Sequence, residues 1–86
     1  MTLKPDFDLT MRNISVALTE VRKHAMEPAR LYMNDRTFLA LNGIFQRAPI
    51  TIIPEGRRRT PTIYGVRIAI SESLPDNEID IAVKTI

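Results

Sequence analysis

The stretch Thr62-Ile63-Tyr64-Gly65-Val66-Arg67-Ile68-Ala69-Ile70-Ser71 decides the fold. Tyr64, Val66, Ile68 and Ile70 recur at every second position and share one face of an extended chain. Ile63, Gly65, Arg67 and Ala69 take the other. Aromatic and β-branched residues dominate, so a strand over 62–71 is expected. Leu74-Pro75-Asp76-Asn77-Glu78 follows with turn chemistry. Ile79, Ile81 and Val83 then alternate with Asp80, Ala82 and Lys84. That pattern predicts a final strand, closing a hairpin at the end of the chain.

Upstream of this stretch lies Glu55-Gly56-Arg57-Arg58-Arg59-Thr60-Pro61, which reads as an irregular basic connection. Before it, Pro49-Ile50-Thr51-Ile52-Ile53-Pro54 is β-branched and bounded by prolines. Proline cannot donate to a ladder, so this is a short strand placed at a sheet edge. Ala29-Arg30-Leu31-Tyr32-Met33 is a further strand. Asn34 or Asp35 can cap a short helix after it, with Phe38, Leu39, Leu41 and Phe45 supplying the buried side and Gly43 placed to stop it.

The N-terminal third is helical. Met11, Ile14, Leu18, Val21 and Ala25 are spaced 3, 4, 3 and 4 apart, one stripe of a helix. Asp8 or Thr10 can accept bonds from its first free amides, and Pro28 limits it through Glu27. Residues 1–7 are expected to form an arm, leaving 8–86 as one domain. The fold class is α+β: a two-layer domain of order α-β-α-β-β-β, with a long N-terminal helix packed on a small, mostly antiparallel sheet.

Composition narrows the chemistry. At 86 residues, 44% apolar and 26% charged, the chain has the makings of one small globular domain. Without cysteine there is no disulfide, thiolate metal site or cysteine nucleophile. A lone histidine, His24, has no partner motif around it and reads as a favourable cation near a helix end. Asp76, Glu78 and Asp80 lack the spacing of a calcium loop. Ser71 and Ser73 lack a nucleophile-elbow pattern, and the three glycines stand too far apart for a phosphate loop. These readings lead us to expect a protein that is no enzyme and holds no cofactor or metal. The N-terminus has acidic residues where a signal peptide needs a basic start, and no stretch has the length of a bilayer span. An intracellular protein without a membrane partner is expected.

Net charge is only +2. The distribution says more: Arg57-Arg58-Arg59 is the longest like-charge run, and Arg47 and Arg67 can lie beside it. A guanidinium fork suits phosphate oxygens, so these five arginines form a candidate nucleic-acid contact. An exposed basic loop docks an acidic protein surface equally well. Tyr32 and Tyr64 are too far apart to suggest a base-stacking platform.

Two strings resemble a known family. Arg30-Leu31-Tyr32-Met33-Asn34-Asp35-Arg36-Thr37-Phe38-Leu39-Ala40-Leu41 resembles a segment of tailed-phage major capsid proteins, where a strand ending in Met-Asn feeds a helix. Thr62 to Asp76 resembles a later strand of the same family, with its aromatic-Gly-aliphatic start and Ser-x-x-Leu-Pro ending. The order of elements from Asp8 to Val83 is similar to the axial lobe of that fold, which encapsulin shells share. The resemblance implies a structural protein working through subunit contacts. It points to the loop Glu55–Pro61 and the turn Leu74–Glu78 as contact surfaces, without transferring any individual contact residue; within them Glu55, Arg57, Arg58, Arg59, Asp76 and Asn77 are the candidate protein-contact residues.

The remaining parts of such a subunit (arm, extended loop and peripheral lobe) do not fit in 86 residues. The expectation is therefore a freestanding relative that joins or interferes with shell assembly, in an infected or lysogenic bacterium or on the virion. Its partner is a capsid subunit, a second copy of itself or a host target. Two alternatives stay open: a regulator binding nucleic acid through the arginines, and an inhibitor that occludes a host or defence protein, with Ile50–Ile53 as the edge to inspect.

Overall fold

The computed structural model describes residues 7–42 and 50–85. The elements are α1 (Phe7–Lys23), β1 (Met26–Met33), α2 (Asp35–Leu41), β2 (Ile50–Glu55), β3 (Arg58–Ile63), β4 (Val66–Ile70) and β5 (Asp80–Thr85). The five strands form one sheet in the order β2-β3-β4-β1-β5. Only β1 and β4 run parallel; the other three neighbouring pairs are antiparallel. The domain is α+β, as the patterning implies.

The α1 stripe reaches the core as its spacing requires. Ile14 and Leu18 are buried, and Met11 packs against the same cluster. The helix starts at Phe7, inside the expected arm, so Thr10 is not a cap but a buried hydroxyl within the helix. Ala25 falls past the helix end with φ 55°, the left-handed geometry that closes many helices. The next strand begins at once, at Met26, and takes in Pro28, with a register shift between Pro28 and Arg30.

In α2, Asn34 is the N-cap, its side chain accepting from the Thr37 N–H at 2.7 Å. Leu41 is fully buried and Phe38 packs on the core, but Leu39 is turned outward and 57% exposed. Leu39 lies one step round the helix from Phe38, too far to share its face. The expected arm over residues 1–6, and Gly43, Phe45, Arg47 and Pro49, lie outside the described residues.

The deciding stretch is not one strand but a tight hairpin. The chain reverses at Tyr64 and Gly65, both at positive φ (50° and 79°), which is the geometry of a two-residue type I′ turn. Ile63 therefore stands opposite Val66. Both are buried, while Tyr64 sits half-exposed on the turn. A second correction follows at Glu55–Pro61. Here only Gly56 and Arg57 form the turn, and Arg58 to Pro61 belong to β3. The element order gains a strand, α-β-α-β-β-β-β. The final pairing differs as well, because β5 and β4 do not pair with each other; β1 lies between them. The edge position expected for 50–53 holds: β2, which contains Pro54, is one of the two outer strands of the sheet.

Candidate functional site

Register determines where the candidate residues go, because paired residues share a face. Leu31 pairs with Ile68 and with Ile81, Ile63 with Val66, and Ile50 with Ile63. These line the face covered by the helices, where Leu31, Ile63, Val66 and Ile68 are buried. The opposite face, helix-free among the described residues, carries Arg30, Tyr32, Thr62, Arg67 and Ala69, and toward the β2–β3 tip Thr60, Arg58 and Glu55.

The arginine triplet is splayed by strand alternation. Arg57 sits in the turn, Arg58 takes the helix-free face opposite Glu55, and Arg59 takes the helix-covered face opposite Pro54. Alternation therefore sends Arg58 and Arg59 out from opposite faces of the hairpin. On the helix-free face, Arg30, Arg58 and Arg67 with Glu55, Thr60 and Ala69 line an open groove, and Arg59 borders it. Arg67 is held at the surface by Glu55: its Nε donates to both Glu55 carboxylate oxygens at 2.9 and 3.1 Å, and its Nη2 to one of them at 2.9 Å. The bond from Arg67 holds the Glu55 carboxyl below its ordinary range, helped by the Thr60 hydrogen bond and the charge of Arg30. The same pairing raises Arg67.

Arg30 escaped the sequence analysis. It stands beside Arg67 across the parallel β1–β4 pair. No local signal could have found it, since the neighbour of β1 is set by a pairing 37 residues away.

The other side of the hairpin changes from base to tip. Ile50 packs against the core and Ile63 is fully buried. Two residues further out, Ile52 is 56% exposed. Ile52, Pro54 and Arg59 line a shallow recess there. This tip joins exposed apolar surface to guanidinium groups.

Asp76 and Asn77 go elsewhere. Asp76 is only 12% exposed; it accepts from Asn34 Nδ2 at 2.7 Å and pairs with Arg36 Nε at 3.3 Å. Asn77, at φ 66°, accepts from Thr10 Oγ1 and from Asn13 Nδ2, and its N–H donates to Thr37 Oγ1. Both residues hold the β4–β5 connection against the two helices. They are structural ties on this geometry. His24 is exposed at the end of α1 with Glu20 at 3.8 Å. Among the described residues no group of three acidic or histidine side chains is placed to hold a metal, and no helix is long and apolar enough to cross a membrane.

No family model, no curated protein and no solved structure matches this chain significantly.

Proposed function

We propose that this chain is a non-enzymatic protein-binding module whose docking element is the β2–β3 hairpin. The observation that carries it is the change along one hairpin face, from buried Ile63 at the base to exposed Ile52 beside Pro54 and Arg59 at the tip. An exposed apolar side chain beside an arginine is a composition that interfaces favour, since arginine adds both packing and directional bonds. The partner class we propose rests on the resemblance of two strings to tailed-phage capsid proteins: a capsid subunit, with the module acting in a phage-infected or lysogenic cell or on the virion. The test is co-expression with the capsid subunit encoded in the same genome, followed by gradient sedimentation. Co-sedimentation that is lost on Ile52→Asp supports the reading; a module that stays at the top of the gradient overturns its capsid part.

A second reading has its own support. Arg30, Arg58 and Arg67 line one groove, which gathers three guanidinium groups that phosphate oxygens can meet, with Arg67 shared with Glu55. Binding of this kind weakens steeply with salt. Titration of a labelled DNA or RNA oligonucleotide, with Arg30→Ala/Arg58→Ala as the comparison, tests it. Affinity unchanged in that variant would exclude the groove.

A further inference from the structure

The sheet has two outer strands, and they are not alike. β2 contains Pro54, which has no N–H to give another strand. β5 runs Asp80-Ile81-Ala82-Val83-Lys84-Thr85 without proline, and among the described residues no strand lies beyond it. An edge of this kind, without proline, is a template for pairing. The one guard on β5 is local: the Ile81 N–H donates to its neighbour's carboxylate, Asp80 Oδ1, at 3.0 Å. That amide has taken a side-chain acceptor in place of a strand.

We propose that β5 pairs antiparallel with β5 of a second copy of this chain, about a two-fold axis through Ala82. The sequence of the strand is self-complementary in that register. Asp80 falls opposite Lys84 of the second copy, and Ile81 opposite its Val83, each pair occurring twice by symmetry. The faces agree. Ile81 pairs with Leu31 and Val83 with Pro28 within the chain, on the helix-covered side, whereas Asp80 and Lys84 are on the other. Val83 is 44% exposed in the single chain and gains an apolar neighbour. The Ile81 N–H finds a backbone carbonyl, which frees Asp80 for lysine.

Other registers lose these pairings. A one-residue slip sets Ile81 against Lys84 and turns the second sheet over. A two-residue slip sets Ile81 against Ile81 or Val83 against Val83 and parts Asp80 from Lys84. The result is one continuous sheet from two copies, with the β2–β3 hairpins at its two far ends. This inference does not depend on what the hairpin binds.

Sedimentation velocity of the full chain over a concentration series tests it. A monomer–dimer equilibrium is expected. Lys84→Asp sets like charges opposite each other twice and should raise the dimer dissociation constant about tenfold, as should Asp80→Lys. The double variant Asp80→Lys/Lys84→Asp restores opposite charges and should return close to the parent constant. Within one chain Lys84 pairs with Glu27, so any damage to the fold from Lys84→Asp persists in the double variant, while damage to the interface is reversed. Circular dichroism of all four proteins reads the first effect separately. A chain that stays monomeric at every concentration overturns the proposal. So does a dimer indifferent to both single changes, or a double variant no tighter than the singles.

Discussion

Asn34 Nδ2 donates to Asp76 Oδ1 at 2.7 Å, across 42 residues of chain. The same amide group donates to the Leu74 carbonyl at 3.1 Å, and its oxygen caps α2. One nearly buried side chain thus closes a helix locally and fixes the β4–β5 connection at long range.

Replacing Asn34 with alanine removes both roles. Loss of the cap costs about 1 kcal/mol, and withdrawing a donor from the Leu74 carbonyl and from the Asp76 carboxylate, which keeps Arg36, adds about 1–3 kcal/mol. A destabilisation of about 2–4 kcal/mol is expected in urea unfolding, large for so small a domain. Asn34→Asp separates the roles. It keeps the cap acceptor but has no amide to donate and puts a second carboxylate beside Asp76. It should remain well below the parent in stability. A neutral Asn34→Asp would show that capping accounts for the whole effect.

Tyr64 is held at φ 50°, where a bulky side chain is strained. Glycine follows it, so Tyr64→Asn creates the Asn-Gly pair that this turn favours. Because Tyr64 is half-exposed, little packing is lost. A gain of about 0.5–1 kcal/mol is expected, read as a higher midpoint in thermal unfolding. A lower midpoint would mean that the ring contributes more than the strain costs.

That turn also shows what the sequence concealed. Tyr64, Val66, Ile68 and Ile70 alternate without a break, and tyrosine is a strand former, so periodicity alone runs straight through the reversal. Gly65 is the single local sign of it. At Glu55–Pro61 the reverse happened: a run of charge reads as a loop throughout, and it hid the start of β3 at Arg58. By contrast the α1 stripe, the Asn34 cap and the edge position of β2 were legible, because each follows from local chemistry: spacing, a side-chain acceptor, prolines without an N–H. Pairing is not local. The insertion of β1 between β4 and β5 brought Arg30 beside Arg67 and turned Asp76 and Asn77 inward, so the site residues shifted with the topology.

The Glu55–Arg67 pair gives the hairpin a pH dependence of definite sign. Glu55 titrates lower in the folded chain than when unfolded, chiefly through the Arg67 bond. Its contribution is present above the ordinary glutamate range and is lost as pH falls through the lowered folded value. Carboxyl chemical shifts followed by NMR should place Glu55 below a free glutamate, and Arg67→Ala should return it most of the way. The pair is well exposed to solvent, so its effect on global stability should be small and should shrink with salt. An unshifted Glu55 would mean that the bidentate contact does not persist in solution.

The hairpin should carry stability at its base and recognition at its tip. Ile63 is fully buried, so Ile63→Ala deletes core packing and should cost about 2–4 kcal/mol. Ile52 is on the same face but 56% exposed, and Ile52→Asp should change stability by no more than about 0.5 kcal/mol. Denaturant unfolding of both variants measures the contrast. A residue that binds a partner can be changed without unfolding the domain, whereas a residue of the core cannot. If Ile52→Asp instead destabilises the chain as much as Ile63→Ala does, Ile52 is part of the packed interior in solution, and the docking role proposed for the tip loses its apolar anchor.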